Sequence, residues 1–196
     1  MKFEKGLCIR WADDNRIMKK RLGFLLLLAA ASAFCAEGNW KQVLSERLPL
    51  YGHRNWIVVA DSAYPAQSRE GIETIVSGAG QIDVLKQVLG AISASKHVRA
   101  IVHTDRELKF VEEKEAPGIS AYRQQLAAIL GNQKVDELPH EQIIAKLDQV
   151  SQTFRVLIIK TNMTIPYTSV FLELNAGYWG ADSEARLRAR MTAHSH

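Results

Sequence analysis

Short apolar runs alternate with segments of helical periodicity along most of the chain, and this alternation constrains the fold more than any other feature. Segments with apolar residues at helical spacing predict helices over Asn39–Leu48, Asp83–Ile92, Ser120–Leu130 and His140–Val150. Short apolar runs bounded by turn residues predict strands over Trp56–Ala60, Ile72–Val76, Val98–Val102, Val156–Lys160 and Val170–Leu174. Strands that alternate with helices form layered folds. The sequence therefore predicts a three-layer α/β/α sandwich with a mixed, largely parallel sheet.

The stretch Tyr51–Ser68, with the sequence YGHRNWIVVADSAYPAQS, contains two groups suited to chemistry. Asp61 follows the apolar run Trp56–Ala60, and ligands bind at the carboxyl ends of strands in open α/β sheets; alternatively, Asp61 caps an Asx-turn. His53 precedes the same run, and histidine suits acid–base work near neutral pH, although a histidine after glycine is commonly only an exposed loop residue. An extended Trp56–Ala60 spans about 17 Å. The two groups therefore act from neighbouring subunits unless the loop Tyr51–Asn55 folds back.

Other polar side chains stand at the ends of predicted elements. His140 follows a proline at the start of a predicted helix, where it faces either a ligand or water. Tyr167 follows a proline in the loop between the last two predicted strands, and its ring belongs either to the core or to a sugar site. His103 and Asp105 stand at the end of another predicted strand. The sequence alone leaves these alternatives open.

The net charge of +4 does not describe the part of the chain that is predicted to fold. Residues 1–33 carry seven Lys/Arg and three Asp/Glu, which leaves 18 of the 25 basic and 18 of the 21 acidic residues in the remainder. A neutral remainder offers no basic surface for nucleic acid. Gly78-Ala79-Gly80 lacks the third glycine and the strand-to-helix context of a dinucleotide site, and no Cys/His cluster has zinc-like spacing. Neither a zinc site nor a nucleotide cofactor is expected.

Residues 1–36 are predicted to be a leader that contains a signal peptide. Three cationic residues precede the apolar run Leu22–Ala31, and Ala31-Ser32-Ala33 has the small-x-small pattern of a signal-peptidase site. The apolar run is shorter than the roughly 20 residues that a membrane anchor needs. The residues before Met18 are polar, so Met18 is a candidate for the true start. We expect an exported protein, periplasmic or secreted, without a membrane span after cleavage; the alternative is a lipoprotein anchored through Cys35.

The rest of the chain is expected to form one domain, residues 37–181, followed by a polar tail, residues 182–196. The length is enough for one full core. The chain has two cysteines, of which Cys8 is lost with the leader and Cys35 lies at the new terminus. No intrachain disulfide is therefore expected, even in an oxidising compartment.

Four stretches of the chain resemble the ribose pyranase/fucose mutarotase (RbsD/FucU) family. They are GHRNWIVVADSAYPAQS at residues 52–68, GIETIVSGAGQIDVLKQVLGAI at 71–92, PHEQ at 139–142 and VLIIKTNMTIPYTSVFLELNAG at 156–177. The resemblance implies an α/β fold assembled into ring-like homo-oligomers. It also implies interconversion of the anomers or ring forms of a monosaccharide, without metal or cofactor.

The resemblance also implies roles for individual residues. His53 matches the family's proposed acid–base histidine, and Asp61 matches the aspartate that binds sugar hydroxyls. His140 and Tyr167 match a sugar-contacting histidine and the tyrosine of a Pro-Tyr motif. Ser169 stands where the family usually has asparagine, and serine still forms hydrogen bonds, with a shorter reach. His53 is thus the predicted catalytic residue, and the other four are predicted to bind substrate.

Two further departures from the family pattern bear on activity. The family's Thr/Ser-Gly-Glu is Thr161-Asn162-Met163 here, so a carboxylate is missing, and Lys146 is only a loose match to a lysine on the helix after His140. The expected function is that of a divergent, exported mutarotase or pyranase, an isomerase that uses acid–base catalysis. The alternatives are a non-catalytic exported sugar-binding protein of the same fold and a structural ring-forming protein without a ligand.

Overall fold

A computed structural model describes residues 39–194 of the chain. The α-helices in this range are α1 (Asn39–Arg47), α2 (Gln81–Ala94), α3 (Ile119–Leu130), α4 (His140–Val150) and α5 (Ala181–Ala193). The strands are β1 (Trp56–Ala60), β2 (Ile72–Val76), β3 (Val98–Asp105), β4 (Val135–Leu138), β5 (Val156–Lys160) and β6 (Val170–Ala176). The predicted leader, residues 1–36, lies outside the described residues.

The strands form one six-stranded sheet in the order β2-β5-β1-β6-β3-β4. β6 runs antiparallel to its neighbours β1 and β3. The β2–β5, β1–β5 and β3–β4 pairs are parallel. All five residues of β1 are buried, as expected for an apolar strand inside a sheet that is covered on both faces. The prediction of a mixed, largely parallel sheet is therefore confirmed.

Helices cover both faces of the sheet, which confirms the three-layer prediction. Alternation along β1 directs Ile57 and Val59 to the face packed by α1, α2 and α3. The same alternation directs Trp56 and Val58 to the opposite face, where they pack with Ile143 of α4. Among residues 39–194, no helix is long and apolar enough to cross a membrane.

Three elements differ from the sequence-based expectation. β3 continues to Asp105. The backbone stays extended through its polar end, so His103 and Asp105 lie on one face of the sheet and Val102 and Thr104 on the other. The sequence does not predict β4, since its four residues, VDEL, are mostly polar and too few to show a period. The predicted polar tail contains α5, in which no described residue is buried.

Candidate functional site

Asp61 and Ser169 meet where β1 ends and β6 begins. β6 is antiparallel to β1, with Val170 opposite Val59, so the chain enters β6 beside the exit of β1. The Ser169 hydroxyl donates a hydrogen bond to Asp61 Oδ2 at 2.8 Å, and the Asp61 backbone N–H donates to Ser169 Oγ at 3.1 Å. The two substrate-binding residues predicted at this edge are thus direct partners.

The second oxygen of Asp61 also has a protein partner. The backbone N–H of Ala63 donates to Asp61 Oδ1 at 2.9 Å, which is the Asx-turn that was the alternative to a ligand role. An ionised carboxylate has about four acceptor positions on its two oxygens. The carboxylate is half-exposed, so it caps the loop and still has capacity to accept hydrogen bonds from a ligand.

His140 is held at the first turn of α4 by Asp105, the last residue of β3, and by Glu107, two residues further on. Both carboxylate oxygens of Glu107 accept a hydrogen bond from the His140 backbone N–H at 3.1 Å. A negative charge is stabilising at this position, because the amino terminus of a helix is the positive end of its dipole. Asp105 Oδ1 lies 3.1 Å from Nδ1 of the His140 ring. Among residues 39–194, the ring's Nε2 makes no hydrogen bond, and 30% of the side chain is exposed. Nε2 is therefore open to a ligand.

Asp105 is buried, with no exposed side-chain surface. Burial raises the pKa of Asp105 to about 6, and the charges of Glu107 and Asp61 add to this, while the His140 ring acts against it. Its Oδ2 is buried without a hydrogen-bond partner among the described residues. The edge of the sheet thus carries a buried carboxyl group whose pKa is raised above its ordinary value.

Tyr167 completes the cluster from the loop between β5 and β6. Its ring packs edge-on against the His140 ring, with 5.6 Å between the centroids. The residue has φ of +58°, a left-handed conformation that costs a residue with a side chain of the order of 1 kcal/mol. The side chain is 37% exposed, so its hydroxyl can meet a ligand beside His140.

A buried polar network fixes the loop that carries Tyr167 and Ser169. The backbone carbonyl of Thr168 accepts hydrogen bonds from the Tyr122 hydroxyl of α3 and from Nε2 of Gln81. The Thr161 hydroxyl donates to the Gln81 side-chain oxygen at 2.7 Å. Burial raises the pKa of Tyr122 well above its usual range, which keeps the hydroxyl protonated as a donor. The network anchors both ends of the loop to the first turns of α2 and α3.

His53 lies away from this cluster. It occupies an exposed turn before β1 and makes no hydrogen bond or ion pair among residues 39–194. The extended β1 separates it from Asp61 by about 17 Å. The structure therefore brings Asp61, Ser169, His140 and Tyr167 to one edge of the sheet and places His53 at the opposite end of β1.

Several residues that build the site are not predicted by the sequence. The sequence marks Asp105 only as a strand-end residue, and Glu107, Gln81 and Tyr122 are not predicted as site residues. Two acidic residues just after a strand would have been the signal for Asp105 and Glu107. Lys146, the loose match to a family lysine, instead pairs with Glu173 at 3.0 Å and lies over the Trp56 ring on the face of the sheet.

The fold and the site define an α/β protein with polar side chains gathered at the carboxyl end of a mixed sheet. The family model of the RbsD / FucU transport protein family matches residues 39–176. This match covers more than half of the chain. The chain belongs to the RbsD/FucU family.

Solved structures with a similar fold include Bacillus subtilis RbsD complexed with D-ribose, at 19% identity and a TM-score of 0.49 over 67% of this chain and 90% of that chain. FucU from Bifidobacterium longum has 18% identity and a TM-score of 0.47 over 67% and 91%. The fucose mutarotase from Streptococcus pneumoniae, in complex with L-fucose, has 20% identity and a TM-score of 0.44 over 68% and 89%. No curated protein sequence matches the chain. The family assignment thus rests on the match over residues 39–176.

Proposed function

We propose that the protein binds a monosaccharide at the carboxyl end of the sheet and exchanges its anomers or ring forms without a cofactor. The observation that carries the proposal is the convergence of Asp61, Ser169, His140 and Tyr167, from three separate stretches of a chain in the RbsD/FucU family. A carboxylate, an imidazole and a phenol at one edge of the sheet provide the donors and acceptors that sugar hydroxyls require. Relatives of this family have been crystallised with D-ribose and with L-fucose.

Mutarotation removes a proton from the anomeric hydroxyl and delivers one to the ring oxygen. The ring opens to the aldehyde, the carbonyl group rotates, and the ring closes on the other side. One group that titrates near neutral pH and a second proton donor are enough for this chemistry. Asp61 and Tyr167 hold hydroxyl groups in this proposal. His53 acts as an acid–base group.

The position of His53 requires that a second copy of the chain contribute to the site. The length of β1 prevents His53 and Asp61 of one chain from contacting the same monosaccharide, which is far shorter than the strand. We therefore propose a ring-like homo-oligomer in which His53 of a second copy enters the cluster at Asp61. The exposure of His53 and its lack of partners among residues 39–194 support this arrangement.

Sugar exchange is the direct test of the proposed function. A panel of D-ribose, D-xylose, D-glucose, D-galactose, L-fucose and L-rhamnose is screened by calorimetry, and NMR saturation transfer between the anomeric protons gives the exchange rate. The full chain is expected to accelerate exchange of at least one panel sugar, and His53→Ala is expected to remove the acceleration. An unchanged rate in His53→Ala would refute the role of His53. No acceleration by the unmodified chain would refute the proposal that the protein is a mutarotase or pyranase.

The second candidate is a non-catalytic exported sugar-binding protein. It is favoured by Met163, which stands where the family has a carboxylate, and by the Ser169 hydroxyl, whose single proton is already donated to Asp61. This candidate predicts heat from a panel sugar without faster exchange. A structural ring-forming protein, the third reading, predicts no heat from any sugar.

Export is part of the same proposal. The pattern Ala31-Ser32-Ala33 supports cleavage after Ala33. Mass spectrometry of the protein from the periplasm or medium is expected to find a chain that starts at Phe34. A lipidated amino terminus at Cys35 would identify a lipoprotein instead, and a chain that keeps residues 1–33 would refute cleavage.

A further inference from the structure

We propose that Asp105 and His140 form an acid–base pair within one subunit, with His140 Nε2 exchanging the proton of the anomeric hydroxyl and Asp105 positioning the ring. The inference rests on the proposed function and deepens it. It adds to the site a catalytic group that does not depend on a second copy of the chain. It also assigns a role to Asp105, a buried carboxyl group that needs one.

The contact between the two residues is built into the sheet. Asp105 is the last residue of β3 and lies opposite Leu138 in the parallel pair with β4. The chain leaves β4 at Leu138 and starts α4 at His140, so the helix begins beside the Asp105 side chain. The resulting distance between Asp105 Oδ1 and His140 Nδ1 is 3.1 Å. Strand register, rather than a flexible loop, therefore sets the geometry of the pair.

The contact decides which ring nitrogen carries the proton. An ionised carboxylate can only accept, so Nδ1 of His140 must be the donor to Asp105. In the neutral ring the lone pair then lies on Nε2, which makes no hydrogen bond among residues 39–194. The Tyr167 ring, which packs nearly perpendicular to the His140 ring with 5.6 Å between the centroids, restricts its rotation. His140 is thus held with Nδ1 towards Asp105, which leaves Nε2 as the nitrogen that can act as a base.

Asp105 is not needed to cap α4, so its contact with the His140 ring has another role. Glu107 accepts the His140 backbone N–H and caps the start of the helix. Among residues 39–194, the only side-chain hydrogen bond of Asp105 joins Oδ1 to the His140 ring, and its Oδ2 is buried without a partner, which is rare for a purely structural residue. Asp61 and Glu107 are the other charged groups that act on the pair. Burial and these two charges raise the pKa of Asp105, while the His140 ring lowers it.

The proton transfers balance within the proposed site. Nε2 of His140 accepts the proton of the anomeric hydroxyl, and the oxygen's electron pair forms the carbonyl bond. The bond between the anomeric carbon and the ring oxygen breaks, and the ring oxygen takes its electron pair and a proton from the protonated His53 of a second copy. The carbonyl group rotates, and ring closure reverses both transfers. No oxidant, reductant or metal is needed.

The test combines a ring-proton measurement with kinetics on the full chain. Nitrogen-15 NMR of histidine-labelled protein without sugar reports which nitrogen of His140 carries the proton, with His140→Gln used to assign the signal. The expected state has the proton on Nδ1, and Asp105→Asn is expected to move it to Nε2 because the amide can donate to Nδ1. Exchange of the tightest-binding panel sugar is expected to fall at least about tenfold in kcat in Asp105→Asn. Its KM is expected to change less than threefold.

A matched control is Asp136→Asn, which removes a half-exposed carboxylate on β4 that pairs with Lys134. This variant is expected to keep the wild-type rate. Asp105→Asn at the wild-type rate, or a proton on Nε2 in the unmodified chain, would overturn the pair. If Asp105→Asn does not fold, His140→Gln decides, and a wild-type rate in that variant overturns it. Because the ring-proton measurement needs no sugar, the pair is tested even if the unmodified chain accelerates no exchange and the proposed function fails.

Discussion

The two ends of β1 differ in how they are built. At the carboxyl end, Asp61 is held by Ser169, a residue 108 positions away in the chain. At the amino end, the turn before β1 is closed locally, since Asn55 accepts from the Gly52 backbone N–H at 2.8 Å. His53 projects from this turn without a partner among residues 39–194. The carboxyl end is thus a convergence of distant segments, while the amino end offers a single exposed group.

Closeness in sequence does not place two groups in one site. His53 and Asp61 are eight positions apart, but the buried, extended β1 lies between them and holds them apart. His140 is far from Asp61 in sequence and lies with it at the same edge of the sheet. The carboxyl end therefore contains the binding groups of the proposed site, and the amino end can contribute only to the site of another copy.

The largest expected effect is the loss of exchange rate in His53→Ala, which should leave the stability of the fold unchanged. The exchange rate is expected to fall by about 100-fold, the usual loss for a general acid–base group. The free energy of unfolding is expected to change by less than about 0.5 kcal/mol, because the side chain is exposed and forms no hydrogen bond or ion pair among residues 39–194. Saturation transfer and urea unfolding measure the two quantities. A loss of stability that parallels the loss of rate would contradict the contrast between the two ends.

Asp61→Asn tests the carboxyl end through affinity. Hydrogen bonds to a charged group contribute about 1.5–3 kcal/mol, so sugar binding is expected to weaken by about 10- to 100-fold. The matched control is Asp148→Asn, which removes an exposed carboxylate paired with Arg69 and should leave affinity unchanged. Calorimetry with the tightest-binding panel sugar measures both. Equal sugar affinity in Asp61→Asn and Asp148→Asn would show that Asp61 does not bind the sugar.

Tyr122→Phe tests whether the buried network stabilises the β5–β6 loop at the carboxyl end of β1. The variant removes one of the two donors to the Thr168 carbonyl and is expected to lower the free energy of unfolding by about 1 kcal/mol. Tyr178→Phe, which alters a ring that is 80% exposed, is the control and should have no effect. Chemical unfolding of both proteins measures the difference. Identical curves would show that the buried network does not support the loop.

The smallest expected effect concerns Glu113 and the start of α3, the helix that carries Tyr122. The Glu113 carboxylate accepts backbone N–H groups of Gly118 and Ser120, and these bonds lower its pKa to about 2. A lowered pKa in the folded state stabilises the protein above the ordinary glutamate pKa and loses this contribution as pH falls towards 2. Glu113→Gln is expected to lower the Tm slightly at pH 7.

Glu115→Gln, at a neighbouring exposed glutamate, is the matched control for Glu113→Gln. It is expected to leave the Tm unchanged. The difference between the two variants should shrink steadily as the pH is lowered from 5 towards 2. A difference that does not depend on pH would show that the Glu113 carboxylate does not stabilise α3.

The sequence predicted the central elements and missed those whose signal is weak. β1 and β5 were visible because their residues are apolar on both faces, and the start of α4 was marked by a proline at its first turn. β4 escaped because its four residues are mostly polar and it lies at the edge of the sheet. β3 seemed shorter than it is because its last residues, His103 to Asp105, are polar although they are buried.

The site could be predicted only where local sequence determines it. A strand end predicted Asp61, and the resemblance to the family added His140, Tyr167 and Ser169. The contact between Asp105 and His140 depends on the register of β3 against β4, and that register has no local signal. The same holds for Gln81 and Tyr122, which reach the Thr168 carbonyl only because α2 and α3 pack on the same face of the sheet.

A crystal structure of the full chain with the tightest-binding panel sugar would show whether one site is shared between two copies of the chain. We expect the sugar at the carboxyl end of β1, with hydroxyl groups on Asp61 and Tyr167 and the anomeric hydroxyl within hydrogen-bonding distance of His140 Nε2. We also expect His53 of a second copy to contact the same sugar. A sugar bound elsewhere on the chain, or contacted by the His53 of its own chain, would refute the shared site.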